Sequence, residues 1–270
     1  MPGQNKHKKL AMKVNTMAEM IASGQTPEVL FWVGCAGSFD QRAQKITKAF
    51  ATILDKAGVN YAILGKEEAC TGDPARRAGN EFMFQMMAYQ NIQILNGYSI
   101  KKIVTTCPHC FNILKNEYPV LGGHYEVIHH TQFLQELIEQ GKIKITDSNE
   151  WKGKSITYHD SCYLGRANEI YEAPRKVLES LDMELKEMKR CKSKGLCCGA
   201  GGAQMFKEEE KGDKRINTER AEEARATATD FVASACPFCN TMLSDGLKVA
   251  ENQNDPAVLD IAEIIAQAIK

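Results

Sequence analysis

The sequence predicts an α/β fold made of two similar small parallel-sheet domains related by internal duplication, and three observations carry that expectation. Short apolar runs alternate with longer amphipathic stretches along most of the 270 residues, the order expected of βαβ units in a parallel sheet. Cysteines recur at almost one offset: Cys35 and Cys162 are 127 residues apart, Cys70 and Cys197 also 127, Cys107 and Cys236 129. Self-similarity at a fixed spacing marks a repeat. Cys35, Cys107 and Cys236 directly follow a predicted strand end, and Cys70, Cys162 and Cys197 fall in the loops after one. The cysteines are therefore expected in loops at the carboxyl ends of strands, where open α/β sheets hold their ligands.

Residues 1–27 read as a basic, solvated tail (Lys6, Lys8, Lys9, Lys13) leading into a short amphipathic helix over 12–23, stopped by Gly24 and Pro27. The first domain is expected over 28–150. Its strand at 28–34 is apolar through Val29, Leu30, Phe31, Trp32 and Val33 and ends at Gly34-Cys35. A helix over 41–57 follows, with Ile46, Phe50, Ile53 and Leu54 on one stripe and Gly58 as its stop. A short strand at 61–64 leads to a polar loop carrying Cys70-Thr71-Gly72-Asp73-Pro74, then to a helix over 80–95. The strand at 102–106 runs into Cys107-Pro108-His109-Cys110, where proline suits the first position of a helix. A strand at 125–128 and a helix over 131–140 complete this half.

After a polar stretch with Asp147, Ser148, Asn149 and Gly153, the second domain, 151–270, repeats the order. Strand 155–158 ends at His159-Asp160-Ser161-Cys162. Helix 174–181 and strand 183–188 lead to Cys197-Cys198-Gly199-Ala200-Gly201-Gly202. A charged helix over 216–227 precedes strand 230–235, which ends at Cys236-Pro237-Phe238-Cys239. Helices over 240–249 and 257–269 close the chain.

Composition narrows the function. Hydrophobic residues make up 43% and charged residues 25%, ordinary for a globular chain. With 34 basic and 34 acidic residues the net charge is zero, which argues against a nucleic-acid binder. No run approaches the 18 apolar residues of a membrane span, and the start lacks the apolar stretch of a signal peptide. The expected place is the cytoplasm, or the periphery of the inner membrane through a partner complex. Ten cysteines in a reducing compartment read as metal ligands or redox groups rather than disulfides.

The second half supplies five repeated thiols, Cys162, Cys197, Cys198, Cys236 and Cys239; the first supplies four, Cys35, Cys70, Cys107 and Cys110. Aligning Gly72 with Gly199 sets Thr71 opposite Cys198, so one thiol has become a hydroxyl. Cys191 has no counterpart and reads as a free thiol. Four thiolates suit tetrahedral zinc or a 4Fe–4S cluster, and spacing leaves both open for the first half. Five thiolates with a vicinal pair leave one surplus on zinc, whereas a cluster with more than four ligand positions uses them all. Gly199, Gly201 and Gly202 give that loop a backbone able to turn its amides toward an anionic cluster.

The pattern from Cys162 through Cys197-Cys198-Gly199 to Cys236-x-x-Cys239 resembles the CCG cysteine-rich domain. Tandem copies of it occur in heterodisulfide reductases and in iron–sulfur subunits of glycolate and lactate oxidases. Further matches are Phe31 to Asp40, Tyr158 to Arg166, and Cys197 to Gly202; the resemblance covers roughly residues 28–245. It implies cluster binding by the matched cysteines, with a noncubane 4Fe–4S unit in the five-cysteine copy. Thr71 departs from the pattern, which leaves a cubane, a noncubane cluster, zinc or no metal open for the first half.

Among other residues, His159 is placed to donate a hydrogen bond to a cluster sulfur or to deliver protons. His109 reads as part of a helix start, and His129 and His130 as structural or solvated. Arg76 and Arg77 after Cys70, and Arg215, Asn217 and Arg220 after the glycine loop, would set polar and cationic groups beside an anionic centre. The charge run 207–214 reads as a solvated face. No flavin, nicotinamide or nucleotide motif is present. The expected function is an iron–sulfur electron-transfer subunit of an oxidoreductase. Its electrons would pass from a partner flavoprotein dehydrogenase or electron-transfer flavoprotein to a quinone, another iron–sulfur or membrane subunit, or a disulfide. The alternatives are a catalytic disulfide reductase, with Cys197, Cys198 and His159 at the chemistry, and a zinc-stabilised binding module.

Overall fold

The computed structural model describes residues 14–146, 149–208, 211–249 and 255–269; the basic tail residues and Asp147 and Ser148 lie outside that set. In the first half the order is α1 (Met17–Ala22), β1 (Val29–Trp32), α2 (Gly34–Phe39), α3 (Ala43–Lys56), β2 (Tyr61–Ala62), α4 (Asp73–Arg77) and α5 (Glu81–Gly97). It continues with β3 (Lys102–Thr105), α6 (Pro108–Asn112), β4 (Glu126–His129) and α7 (His130–Glu139). The second half runs β5 (Ser155–Tyr158), α8 (Glu172–Glu179), β6 (Glu184–Leu185), α9 (Ile216–Arg225), β7 (Phe231–Ser234), α10 (Pro237–Lys248), β8 (Ala257–Asp260) and α11 (Ile261–Ala268).

The described residues form two four-stranded sheets, ordered β2-β1-β3-β4 and β6-β5-β7-β8, parallel throughout. All four residues of β1 are buried, as expected of a central strand covered on both faces. In each sheet the chain leaves the first strand to one side and returns on the other, so a crevice opens beyond β1 and β3, and likewise beyond β5 and β7. Trp32 pairs with Thr105, and Tyr158 with Ala233. Cys35 and Cys107 therefore follow adjacent strand ends, as do Cys162 and Cys236.

The halves exchange helices: α3 packs on α11, and α7 on α8. One hydrophobic core consequently draws on Phe31, Phe50 and Leu134 from the first half and Ile156, Val177 and Ile265 from the second. Arg42 grips Glu263 through both oxygens, at 2.8 and 2.6 Å, and donates to the Val258 carbonyl. His130 Nε2 lies 3.1 Å from Asp260 Oδ1, both side chains fully buried.

Several elements differ from expectation. The predicted helix over 257–269 is a strand followed by a helix. Ala257, Val258 and Leu259 run on apolar into Ile261, and the break is Asp260. Its side chain accepts from Ala262 N–H while its own N–H donates to Glu263, a capping box. The predicted strand 183–188 is only Glu184–Leu185, and the first strand stops at Trp32, with Gly34 opening α2. The polar loop at 70–74 turns into α4 at Asp73. Of the expected helix over 12–23, the described part forms Met17–Ala22, capped by Thr16 and Glu19.

Helix α10 lies unusually close to α9 because Gly246 carries no side chain; a Cβ there would stand 2.5 Å from the Asn217 carbonyl oxygen. Alanine is the better helix former by about 1 kcal/mol, but overpacking at a backbone contact costs about 1–3 kcal/mol. Gly246→Ala is expected to lower the denaturant midpoint, and an unchanged or raised midpoint would contradict this packing.

Candidate metal centre

Each half builds its thiol set in the same way. Cys35 sits in the first turn of α2, just after Gly34, whose φ of +78° and missing side chain bring Cys110 Sγ within 3.3 Å of where a Cβ would be. Cys107 ends the extended segment after β3, Pro108 opens α6, and Cys110 lies in its first turn. Cys236, Pro237 and Cys239 repeat this at α10. Gly72 and Gly199 share a φ of +91°, a left-handed conformation that glycine adopts freely. Each donates its N–H back to a sulfur, Gly72 to Cys70 Sγ at 3.4 Å and Gly199 to Cys197 Sγ at 3.3 Å. Thus the strand-end cysteines lie partly in helical first turns, while Cys70, Cys162, Cys197 and Cys198 lie in turns and loops as expected.

The thiols meet. All are free thiols, and Cys35 is in hydrogen-bonding contact with Cys70, and Cys107 with Cys110. In the second half Cys162, Cys197, Cys198, Cys239 and Cys236 form one continuous chain of contacts. Cys107 also makes a hydrogen-bonding contact with Cys236, which brings the two sets together across the halves. Cys35, Cys70, Cys162 and Cys197 are half-buried, whereas Cys107, Cys110, Cys198, Cys236 and Cys239 are buried. Thr71 is buried too, with its hydroxyl 4.0 Å from Cys110 Sγ; it stands by Cys110 as Cys198 stands by Cys239. Cys191 lies outside these sets, half-exposed, its thiol pushed up chiefly by burial.

Without a cation these sulfurs cannot all ionise. The bond from Cys35 holds Cys70 down at about 7 and pushes Cys35 itself up. Bonds from Cys110 and Cys236 lower Cys107, while Cys110 rises. Bonds from Cys162 and Cys198 lower Cys197, while both of those partners rise. Burial pushes Cys236 up; Cys239 also rises, the contact with Cys198 being outweighed by Cys236 and burial. Alternation between donor and acceptor is how crowded thiols share too little positive charge.

His109 is the unexpected member. Its Nδ1 lies 3.9 Å from both Cys107 Sγ and Cys236 Sγ. The ring packs against Tyr163 at 4.5 Å and Phe238 at 5.1 Å. Burial lowers its pKa, but the Cys107 bond and charge raise it overall. His159 is fully buried, and its Nδ1 accepts from Arg220 Nε at 3.0 Å. A guanidinium only donates, so the proton of the neutral ring sits on Nε2. That atom has no partner among the described residues. A ring nitrogen of His159 and the sulfurs of Cys198 and Cys239 all lie within 4.8 Å of one another. Burial, then the Arg220 charge, lowers His159 to about 3. Trp32 occupies the matching position in the first half, three residues before Cys35, and its buried Nε1 is likewise without a partner. The shared offset was the signal that could have found it.

The cations are mostly engaged. Arg76 and Arg77 both pair with Glu117, Arg77 also with Asp73, and Arg76 lies over Phe84 at 4.5 Å. Fully buried Arg220 also binds Glu223 and the Arg190 carbonyl, each at 2.9 Å. Asn217 is structural, donating to the Met242 carbonyl. His129 and His130 are buried, as the structural reading expects. Two carboxylates hold the loops. Glu68 accepts from Val33 N–H at 3.0 Å and Gly34 N–H at 2.6 Å. Burial pushes it up to about 7 despite those two amides. Asp160 accepts from Lys192 N–H at 2.6 Å and is paired through both oxygens with buried Arg175 at 2.9 Å. Gly201 and Gly202 carry the chain to Ala203, Met205 and Phe206, which close over Cys35, Cys70 and Cys110 of the other half.

A family model described as the cysteine-rich domain, CCG, matches the chain twice, at residues 29–115 and 156–244. The probable iron–sulfur-binding oxidoreductase FadF of Bacillus subtilis is 46% identical over 258 residues, covering 95% of this chain and 36% of that protein. EtfAB:quinone oxidoreductase of Syntrophomonas wolfei is 42% identical over 263 residues, again 95% and 36%. One polypeptide of the dihydromethanophenazine:CoB–CoM heterodisulfide reductase of Methanosarcina barkeri is 36% identical over 254 residues, covering 90% and 59%. The chain spans from about a third to about three fifths of the length of these relatives. A crystal structure of a hypothetical protein from Helicobacter pylori, 10% identical, shares the fold with a TM-score of 0.57 over 90% of this chain and 49% of that one.

Removing Arg220 would strip His159 Nδ1 of its donor and Glu223 of one cation. Breaking a buried charged contact from one side costs about 3–5 kcal/mol. Arg220→Met is expected to lower the unfolding free energy by that order in chemical denaturation; a loss under about 1 kcal/mol would contradict the role given to this side chain.

Proposed function

Because the chain belongs to the CCG cysteine-rich domain family, with two tandem copies, we propose that it is an iron–sulfur electron-transfer unit of an oxidoreductase. The observation that carries this reading is the convergence of nine thiols where the two halves meet, the two sets touching through Cys107 and Cys236. The donor set fits iron–sulfur clusters: crowded sulfurs that need a cation to ionise together, and two buried N–H groups, of Trp32 and His159, with no acceptor among the described residues. Bound clusters would supply one-electron carriers. Cys162, Cys197, Cys198, Cys236 and Cys239 would hold a noncubane 4Fe–4S unit. Cys35, Cys70, Cys107 and Cys110 would hold a second cluster, with the Thr71 hydroxyl in the place of the fifth thiol. Zinc on those four thiols is the other reading of the first site.

The chain's own residues would do the rest. Gly72 and Gly199 steady one sulfur each through their amides. His159 acts as a fixed hydrogen-bond donor rather than a proton carrier, because Arg220 occupies Nδ1 and the ring is held neutral. His109 spans both sets. Among the described residues no helix is long and apolar enough to cross a membrane. The partners in this proposal are a flavoprotein that delivers electrons and a quinone, membrane protein or disulfide that receives them. The relatives named EtfAB:quinone oxidoreductase and heterodisulfide reductase support that range. Domain boundaries at 28–150 and 151–270 belong to the same proposal.

Purified without oxygen, the protein is expected to be brown and to contain iron and acid-labile sulfide. A colourless protein that reconstitutes only with zinc would sink the reading. The contrast between Thr71 and Cys198 gives a reciprocal test by electron paramagnetic resonance. Cys198→Ser should alter the second centre's spectrum and leave the first, while Thr71→Cys should alter only the first, toward the second's form. A disulfide-reductase role is favoured by the half-exposure of Cys162 and Cys197. It requires the isolated chain to oxidise reduced viologen when a disulfide is added, and no turnover with any disulfide would leave electron relay alone.

A further inference from the structure

A recess of about 380 Å³ opens beside Cys35, between α2 and the start of α10, within the size range of small-molecule sites. Phe39, Met205, Phe206, Pro237 and Phe238 wall it, with Cys35 at its floor. It adjoins the space in front of the first thiol set, with Cys35, Met205, Phe206 and Phe238 lining both. Two of its walls are held open at a cost. Phe39 is 86% exposed and Phe206 62% exposed, and burying one such ring is worth about 1.5–3 kcal/mol.

Charge sorts the ligands. Among the described residues no lysine or arginine lines this recess, and its one carboxylate is Asp40. The inner space adds Asp73 and the ring of His109. The nearby cations, Lys207, Lys211, Lys214 and Arg215, line the neighbouring recess beside Gly199, which meets this one at Met205 and Thr241 and not at Cys35. A sulfonate, phosphate or carboxylate entering beside Cys35 would thus lose its hydration and meet no cation, which is unfavourable. Flat, uncharged, apolar molecules meet aromatic faces and edges instead.

We propose that this recess binds an uncharged, planar, apolar small molecule of bicyclic aromatic size against Cys35. The proposal deepens the electron-transfer reading and rests on it for the identity of the floor, since it names the class of molecule that reaches the first centre. The test is equilibrium dialysis of the anaerobically purified protein against two probes with the same rings. N-phenyl-1-naphthylamine is uncharged, and 1-anilinonaphthalene-8-sulfonate adds one sulfonate. The expected result is one molecule of the uncharged probe per chain and at least tenfold weaker binding of the sulfonate. Phe39→Asp and Phe206→Asp, both at exposed positions, should each weaken the uncharged probe at least tenfold. Met86→Asp, on the exposed apolar face of α5, should leave it unchanged.

Equal binding of both probes, or binding indifferent to the Phe39 and Phe206 changes, would overturn the proposal. So would a dimer in analytical ultracentrifugation that Phe206→Asp splits, because the recess would then be filled by a second copy of the chain. Iron and sulfide are measured on every variant. Their absence with the probe pattern intact would overturn the electron-transfer reading while leaving the recess, and their presence without that pattern would do the reverse.

Discussion

Two sulfurs, Cys107 Sγ and Cys236 Sγ, touch across the joint between the halves, with His109 Nδ1 3.9 Å from each. Both cysteines follow the third strand of their own sheet, so this contact fixes where the two switch points face each other. For it to form, the halves must pack with their sheet ends inward, and the exchange of α3 onto α11 and α7 onto α8 does that packing. Arg42 on Glu263 and His130 on Asp260 lock the exchange with directional bonds that plain apolar contact lacks. What duplication supplied as two sites, this geometry makes into one region.

On the shared strand order the copies place their charges differently. In the first half the carboxylate is on the incoming loop, where Glu68 reaches back to the amides of Val33 and Gly34. In the second it is on the strand end, where Asp160 reaches out to the amide of Lys192. Each arrangement pins the loop that carries the second cysteine position to the strand that carries the first. Asp160 has a buried guanidinium against it, whereas Glu68 has two amides and is pushed up to about 7. The two sites therefore sit in different electrostatic surroundings on frames of the same strand order. Trp32 and His159 make the same point: an N–H donor at one register, attached to an apolar ring in one half and to a ring steered by Arg220 in the other.

Much of this was legible in the residues. The cysteine offsets gave the duplication; the apolar run gave β1, whose side chains are buried on both faces, and the repeated order placed β3, β5 and β7. Proline after Cys107 marked the start of α6, whereas α10 begins at Pro237, three residues before the start expected at 240. Periodicity failed at Ala257–Asp260, where strand and helix are both apolar and only the Asp260–Glu263 capping box separates them. The roles of Arg220, Glu68 and His109 were out of reach, since each acts on residues far away in sequence, and no local pattern encodes that distance. Arg76 and Arg77 read as cations beside the centre, and their joint engagement by Glu117, about forty residues on, was not visible locally.

The segment Ala203, Met205 and Phe206 crosses from the second half to roof the thiols of the first. Chain order then matters during synthesis. Residues Cys35 to Cys110 emerge first, and the groups of this roof, Phe238 included, emerge after Gly199. Until the second half has folded, the first set of sulfurs is open on that side; afterwards the way in is narrowed by its own later sequence. One copy of the repeat is thus assembled as an open dish that is lidded later.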